Sequence, residues 1–259
     1  VIGKNDLIVL DIGGTTAKCA LVEKGQVKIT TNYKIEHSRT EAGYPIQTPV
    51  IDIVEIGNGG GSIAWIDEGG KMHVGPKSSG AMPGPAAYGR GGQNLTTTDA
   101  NIITGRIHPD YFLGGELQPD YKSIEKAAEP LCKELNGSKE DIAKGILRIA
   151  NANMINALKL ISVNKGYDPR DFTMVVIGGG GAMHGADLAR ELQVSELIIP
   201  PHAGVFSAFG MLMSDIRRDF IRTNVLTLSN DQKNVITNTF NEMKEEAFSN
   251  FKADDTPLD

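Results

Sequence analysis

The residues best able to do chemistry sit where apolar, strand-like runs give way to glycine. Asp11-Ile12-Gly13-Gly14-Thr15-Thr16 closes the run Leu7–Leu10. A carboxylate at a strand end, a glycine turn and two adjacent hydroxyls suit a phosphate with its metal ion. The glycines let backbone N–H groups approach phosphoryl oxygens, and the threonine hydroxyls add donors. Asp11 can hold Mg²⁺ directly or through its waters, or orient an attacking water. A plain Asp-Gly-Gly hairpin turn is the competing reading. It loses ground because unpaired charge at the end of an apolar strand is costly. Gly178-Gly179-Gly180-Gly181 lies between the apolar run Phe172–Ile177 and a helix-like Ala182–Leu192. Backbone N–H groups at such a helix start form an anion or nucleotide site, although close helix–strand packing explains the same glycines. A third strand-end loop, Gly57–Ser62, reads as a second phosphate contact through Gly59, Gly60 and Ser62, or as a β-bulge.

Other polar residues are less decided by pattern. Asp99, with Asn101 and Arg106, forms a cluster opening a short helix, where an N-cap aspartate is one reading. His184 and His202 each fit either a ligand-facing or a structural imidazole, while His37, His73 and His108 read as surface residues. Arg90, flanked by glycines, suits a carboxylate or phosphate clamp or an ion pair within its own loop. Met211, Leu212 and Met213 are core candidates. Cys19 and Cys132 are far apart and have no histidine at metal spacing, so neither zinc nor thiol chemistry is assigned.

The elements that must position these residues alternate between strand and helix. Leu7–Ile12, Thr15–Val22 and Val27–Tyr33 read as three successive strands, followed by Val50–Ile56, Ser62–Asp67 and Met72–Val74. A capping signal at Ser138–Asp141 opens a long helix that carries Ile142, Ile146, Ala150, Met154 and Ile161, with Gly166 as its stop. Phe172–Ile177 and Glu196–Ile199 are further strands; 205–218 and 231–252 read as helices, with 219–228 extended between them. This is an α/β chain with a mixed sheet and packed helices. Of its 259 residues 30 are glycine; 20 of these precede residue 117, which points to backbone built for turns and close approach rather than to low complexity. A net charge of −6 has the wrong sign for a nucleic-acid partner. No apolar run is long enough to cross a bilayer and no signal peptide is visible, so a cytoplasmic location without membrane contact is expected. The Gly₄ loop lacks a G-x-G-x-x-G register and there is no Gly-Lys-Ser/Thr, so neither a Rossmann nor a Walker A site is indicated.

The early Asp11-Ile12-Gly13-Gly14-Thr15 hairpin and the later strand–Gly₄–helix resemble the two halves of an actin/sugar-kinase/Hsp70-type ATP site. The chain also resembles the hydantoinase A/5-oxoprolinase family, including its acetone-carboxylase β-like branch. The matching stretches are DIGGTTA from Asp11, DIVEIGNGGGSIAWID from Asp52, VGPKSSGAMPGPAAYGRGG from Val74 and TTTDAN from Thr96. They continue with PDYFLGG from Pro109, GGGGAMHGADLARELQV from Gly178 and PPHAGVFSAFGMLMSDIRRDF from Pro200. The resemblance implies an actin-like ATPase (ribonuclease H-like) fold over residues 1–229, with a glycine-rich insertion at about 57–116 and a helical segment at 230–259. It implies ATP and Mg²⁺ as cofactors and phosphorylation of a carbonyl or cyclic amide oxygen, leading to hydrolysis or carboxylation. Asp11 then holds metal or water and Asp99 takes part in substrate or metal handling. Gly13, Gly14, Thr15 and Thr16 hold phosphates, and Gly178–Gly181 lie near the nucleoside. The resemblance further implies that this is the later part of a longer polypeptide, with an N-terminal domain carrying its own Asp-x-Gly-Gly-Thr, and that a B-type subunit takes part. On that reading the isolated chain binds nucleotide poorly and is inactive. A sugar-kinase-like phosphotransferase and a non-catalytic regulatory nucleotide-binding subunit are the alternatives.

Overall fold

A computed structural model describes residues 3–35, 41–46, 48–227, 229 and 232–253. The chain divides into two compact units: one comprises residues 1–29 and 51–213, the other 30–50 and 214–259.

The first unit is built on a six-stranded sheet. Its strands are β1 (Leu7–Ile12), β2 (Ala17–Glu23), β3 (Gln26–Val27), β4 (Ile53–Ile56), β7 (Thr173–Ile177) and β8 (Leu197–Ile198), with a separate hairpin of β5 (Ser62–Ile66) and β6 (Met72–Ser78). The sheet order is β8-β7-β1-β2-β3, and β4 pairs the other end of β2. β7 runs parallel to β1 and β8, whereas β1–β2, β2–β3 and β2–β4 are antiparallel. In β1 alternate residues Ile8, Leu10 and Ile12 are buried, the period-2 signature of a strand with one inward face. β7 is buried along its whole length, as a central parallel strand covered on both faces must be.

Register brings the glycine loops together. Asp11 pairs with Ile177, Ile12 with Ala17, and Ala17 with Ile56. Residues 13–16, 57–61 and 178–181 therefore all leave the sheet at the same edge.

Helices α1 (Thr97–Ile103), α2 (Tyr121–Leu135), α3 (Lys139–Ile161), α4 (Gly181–Glu191) and α5 (Phe206–Leu212) complete this unit. α3 starts where expected: the Ser138 side chain accepts from the Asp141 N–H. Its buried face includes Ile142, Ile146, Ala150, Met154, Leu158 and Ile161. The helix ends at Ile161, and a 3₁₀ turn, Val163–Lys165, carries the chain to Gly166 at φ 84°.

Three expectations change. The strand expected over 27–33 breaks up, and Tyr33–Ile35 pairs with Tyr44–Ile46 in the second unit. The helix expected over 205–218 is only Phe206–Leu212, and Met211, Leu212 and Met213 are exposed rather than core. The second unit's helix α6 (Lys233–Ala253) has no buried residue.

Candidate functional site

The three glycine loops interlock through backbone bonds. Gly60 N–H donates to Gly13 O (3.0 Å), Gly61 N–H to Gly14 O (2.6 Å) and Gly180 N–H to Ile12 O (2.8 Å). A cavity of about 530 Å³ opens beside them, and its lining includes Gly13, Gly14, Gly60, Thr98, Gly179 and Gly180. The rest of the lining is largely apolar and aromatic: Tyr88, Ile107, His108, Tyr111, Phe112, Leu113 and Met183, with Arg106 among them. This combination of an apolar wall and a few polar groups is that of a small-molecule site.

The glycines have different reasons to be glycine. A Cβ at Gly59 would lie 2.6 Å from Gly13 O, one at Gly60 2.8 Å from Thr98 Oγ1, and one at Gly180 2.7 Å from Ile12 Cγ2. A Cβ at Gly178 would collide with Asp11 Oδ1 and Ile12 O, and one at Gly181 would press on Val176. These positions serve loop-on-loop and helix-on-strand packing. Gly14 and Gly179 differ: a Cβ there meets nothing within 4 Å, and neither has the left-handed φ that favours glycine. Both line the cavity. Among the described residues no neighbour requires glycine at either place.

Asp11, the last but one residue of β1, accepts at Oδ2 from Ser207 Oγ (2.7 Å). Gly13 N–H closes the turn onto Thr16 O (3.0 Å), which leaves Thr15 exposed and Thr16 half-buried at the β1–β2 corner. Ser62 faces inward, and its Oγ accepts from Gly59 N–H (2.8 Å), which holds the loop's shape. Of the expected ligand contacts, Gly13, Gly14, Gly60, Gly179 and Gly180 line the cavity. Thr15, Thr16, Gly59, Ser62, Gly178, Gly181, Asp11 and Asp99 stand behind or beside that lining.

Asp99 is fully buried at the start of α1. Thr96, not Asp99, is the N-cap, and Asp99 is the third helical residue of a reciprocal capping box. Its carboxylate accepts from the N–H groups of Ala87 (2.8 Å), Thr96 (2.8 Å) and Ala86 (3.3 Å) and from Thr96 Oγ1 (2.8 Å). Burial pushes this carboxyl up, against the downward pull of those hydrogen bonds. The arrangement ties the glycine-rich segment around residues 84–96 to α1, and so fixes Tyr88 and Thr98 in the cavity wall.

Sequence reasoning grouped Arg106 with Asp99, but the guanidinium turns to α4. Nη1 donates to Met183 O (2.7 Å) and Nη2 to Asp187 Oδ2 (2.7 Å). His184 is buried, and its Nδ1 lies 2.7 Å from Asn151 Oδ1 on α3. Desolvation, reinforced by the Arg106 charge, pushes His184 down to about 4, so it is neutral at physiological pH. His108 is exposed, as expected of a surface residue, and also borders the cavity; its Nδ1 accepts from Asp110 N–H (3.3 Å) at the start of the 3₁₀ segment Pro109–Gly115. That aromatic wall was missed as a site. Its signal was PDYFLGG, whose rings follow a turn with no regular period. His73 is half-buried, stacked on Trp65 and paired with Asp67 (2.6 Å); Arg90 lies over the Tyr88 ring; His37 lies outside the described residues. Among the described residues there is no group of three or more His, Cys, Asp or Glu able to hold a metal ion, and no helix long and apolar enough to cross a membrane.

Residues 1–220 match the family model described as hydantoinase/oxoprolinase. The chain belongs to the hydantoinase/oxoprolinase family. It is 42% identical over 252 residues to an uncharacterized protein of Methanocaldococcus jannaschii, covering 95% of this chain and 37% of that protein. It is 33% identical to caprolactamase subunit alpha of Pseudomonas jessenii, covering 97% of this chain and 36% of the relative. The crystal structure of the ATP-dependent caprolactamase from that organism superposes with a TM-score of 0.76 at 32% identity, over 96% of this chain and 36% of the other. A nucleotide-free acetone carboxylase, described under ATP-dependent acetone carboxylation, gives 0.73 at 28% identity over 81% and 29%. The fold is therefore of the actin-like ATPase type, here as a partial domain. The chain spans about a third of the length of the relatives it matches.

Proposed function

We propose that this chain carries the nucleotide-binding part of an ATP-dependent enzyme that activates a carbonyl or cyclic amide oxygen by phosphorylation. The observation that carries the reading is the pair Gly14 and Gly179, two cavity-lining glycines that neither backbone strain nor packing requires. A polyphosphate passing close to the backbone fits both. ATP with Mg²⁺ supplies the phosphoryl group that turns an unreactive carbonyl or amide oxygen into an activated one.

The chain's own residues divide the work. The Gly14 backbone holds phosphate, flanked by Gly13 and Gly60, whose own N–H groups are spent on Thr16 O and Gly13 O; Thr15 and Thr16 supply hydroxyl donors at the same corner, and the start of α4 at Gly179 and Gly180 lies near the nucleoside. Asp11, a lone carboxylate, takes Mg²⁺ through its waters, in keeping with that ion's habit of arriving largely hydrated on phosphate. Asp99 acts by holding the cavity wall rather than by touching substrate.

The names of the relatives support a hydrolase acting on a cyclic amide or a carboxylase acting on a ketone. The word subunit in one of them, and the chain's share of their length, support a further domain and a second, B-type subunit as partners. The test is ATP turnover by the full-length protein with its partner subunit, supplied with cyclic amides or with ketones and labelled bicarbonate. Substrate-dependent ADP release with ring opening or label incorporation is expected. Nucleotide binding without substrate-dependent turnover would identify a regulatory subunit, and a phosphorylated sugar as product would identify a phosphotransferase.

A further inference from the structure

We propose that Arg106 contacts the anionic part of the ligand in the cavity, and that Asp187 and the Asn151–His184 pair are positioning residues that hold it there. The inference rests on the nucleotide reading of the same cavity and adds the residue that supplies its positive charge. Among the residues lining the cavity Arg106 is the only one with a permanent charge, and no Asp, Glu or Lys lines it.

The guanidinium is fixed by two contacts on one helical turn of α4, Met183 O and Asp187 Oδ2, both at 2.7 Å. These engage one N–H on each terminal nitrogen and leave three of the five donors of an arginine for a ligand. Asp187 is itself held: Asn151 Nδ2 donates to its Oδ2 and Arg190 Nη1 to its Oδ1, each at 3.4 Å. Asn151 in turn meets His184 Nδ1 at 2.7 Å. Two arginines share one carboxylate beside a neutral imidazole, so the cluster keeps one net positive charge beside the cavity. α3, α4 and the segment after α1 thus set the position of one cation within the site formed by the glycine loops. A fork held by two of its nitrogens loses little further freedom on binding, which is the advantage of arginine over lysine at such a place.

The test measures binding of ATP, adenosine and inorganic tripolyphosphate to full-length wild type, Arg106→Gln, Arg106→Lys, Asp187→Asn and Asp187→Glu, each first checked for an unchanged melting profile. Charge-assisted hydrogen bonds to an anion lead us to expect Arg106→Gln to weaken ATP and tripolyphosphate at least tenfold and adenosine less than twofold. Arg106→Lys should recover only part of that loss. Asp187→Asn, which keeps the arginine charge but loosens its anchor, should raise KM for ATP with little change in kcat, and Asp187→Glu should restore it. Equal losses for adenosine and ATP would make Arg106 a wall residue and overturn the proposal. So would ATP binding within twofold of wild type in Arg106→Gln, while leaving the nucleotide reading intact. A wild type that binds neither ATP nor tripolyphosphate would overturn both.

Discussion

Glycine is the residue through which this site is written, and the structure separates its uses. Gly59→Ala would put a methyl 2.6 Å from Gly13 O and 2.7 Å from Thr15 N, so backbone must move; we expect a loss of about 1–3 kcal/mol in thermal or denaturant unfolding. Gly14→Ala meets nothing in the chain and should leave stability within about 1 kcal/mol of wild type, yet lower ATP affinity of the full-length protein at least tenfold. Equal stability losses in the two variants would undo the distinction between packing and ligand-facing glycines. The sequence announced all three loops, because glycine at a strand end is conspicuous. It did not tell Gly14 from Gly59, since that depends on what lies across the loop. His184 adds a pH dependence whose sign is set by its neutral burial. Its folded value of about 4 lies below the ordinary 6.5, so stability is full above about pH 6.5 and falls as pH drops towards 4, by on the order of 3 kcal/mol. Denaturant unfolding at pH 7.5 and 5 should show about 2 kcal/mol of this loss in wild type and less in His184→Gln.

At the scale of elements, the wall of the cavity depends on a helix start. Asp99 gathers three backbone N–H groups and a hydroxyl from two different segments, and it has no exposure to water. Asp99→Ala leaves Ala86, Ala87 and Thr96 with buried donors lacking an acceptor. The expected loss is on the order of 3 kcal/mol, measured by denaturant unfolding, with Tyr88 becoming more accessible to solvent quenchers. A smaller loss, below about 1 kcal/mol, would mean that water or another acceptor replaces it. Elements with strong periodicity were legible in advance: β1, β7 and the start of α3 lie within a residue or two of their expected bounds. The 3₁₀ segment 109–115 was not, because its rings are placed by Pro109, by His108 accepting from Asp110 and by left-handed residues at Leu113 and Gly114, none of which leaves a period. α5 failed for another reason: Met211, Leu212 and Met213 are consecutive and fan around the helix end rather than sharing one face, so their apolar character did not make them core.

The two compact units should differ in how firmly they are held. α3 carries ten buried residues and bonds outward to the site, with Asn58 Nδ2 donating to Ala150 O, Asn151 meeting His184, and Asn153 Nδ2 donating to Val74 O. Opening it means exposing the main core and releasing the Gly57–Ser62 loop, β6 and α4 together. α6 has no buried residue, and its described ion pairs, Arg222 with Glu242 and Glu246, are exposed. Exposed pairs contribute at most about 1 kcal/mol each, and a helix whose contact face, Ile236, Thr239, Met243 and Ala247, is only half-buried draws little from packing. Amide hydrogen exchange followed by mass spectrometry on the 259-residue chain should therefore find α3 exchanging only with global unfolding and α6 at least a hundredfold faster. Adding ATP to the full-length protein should slow exchange at residues 13–16, 57–61 and 178–181, the loops that come together at the cavity. Comparable protection of α3 and α6 without nucleotide would show that the second unit has a stabilising interior of its own. Slowing confined to α6 would move the ligand away from the glycine loops altogether.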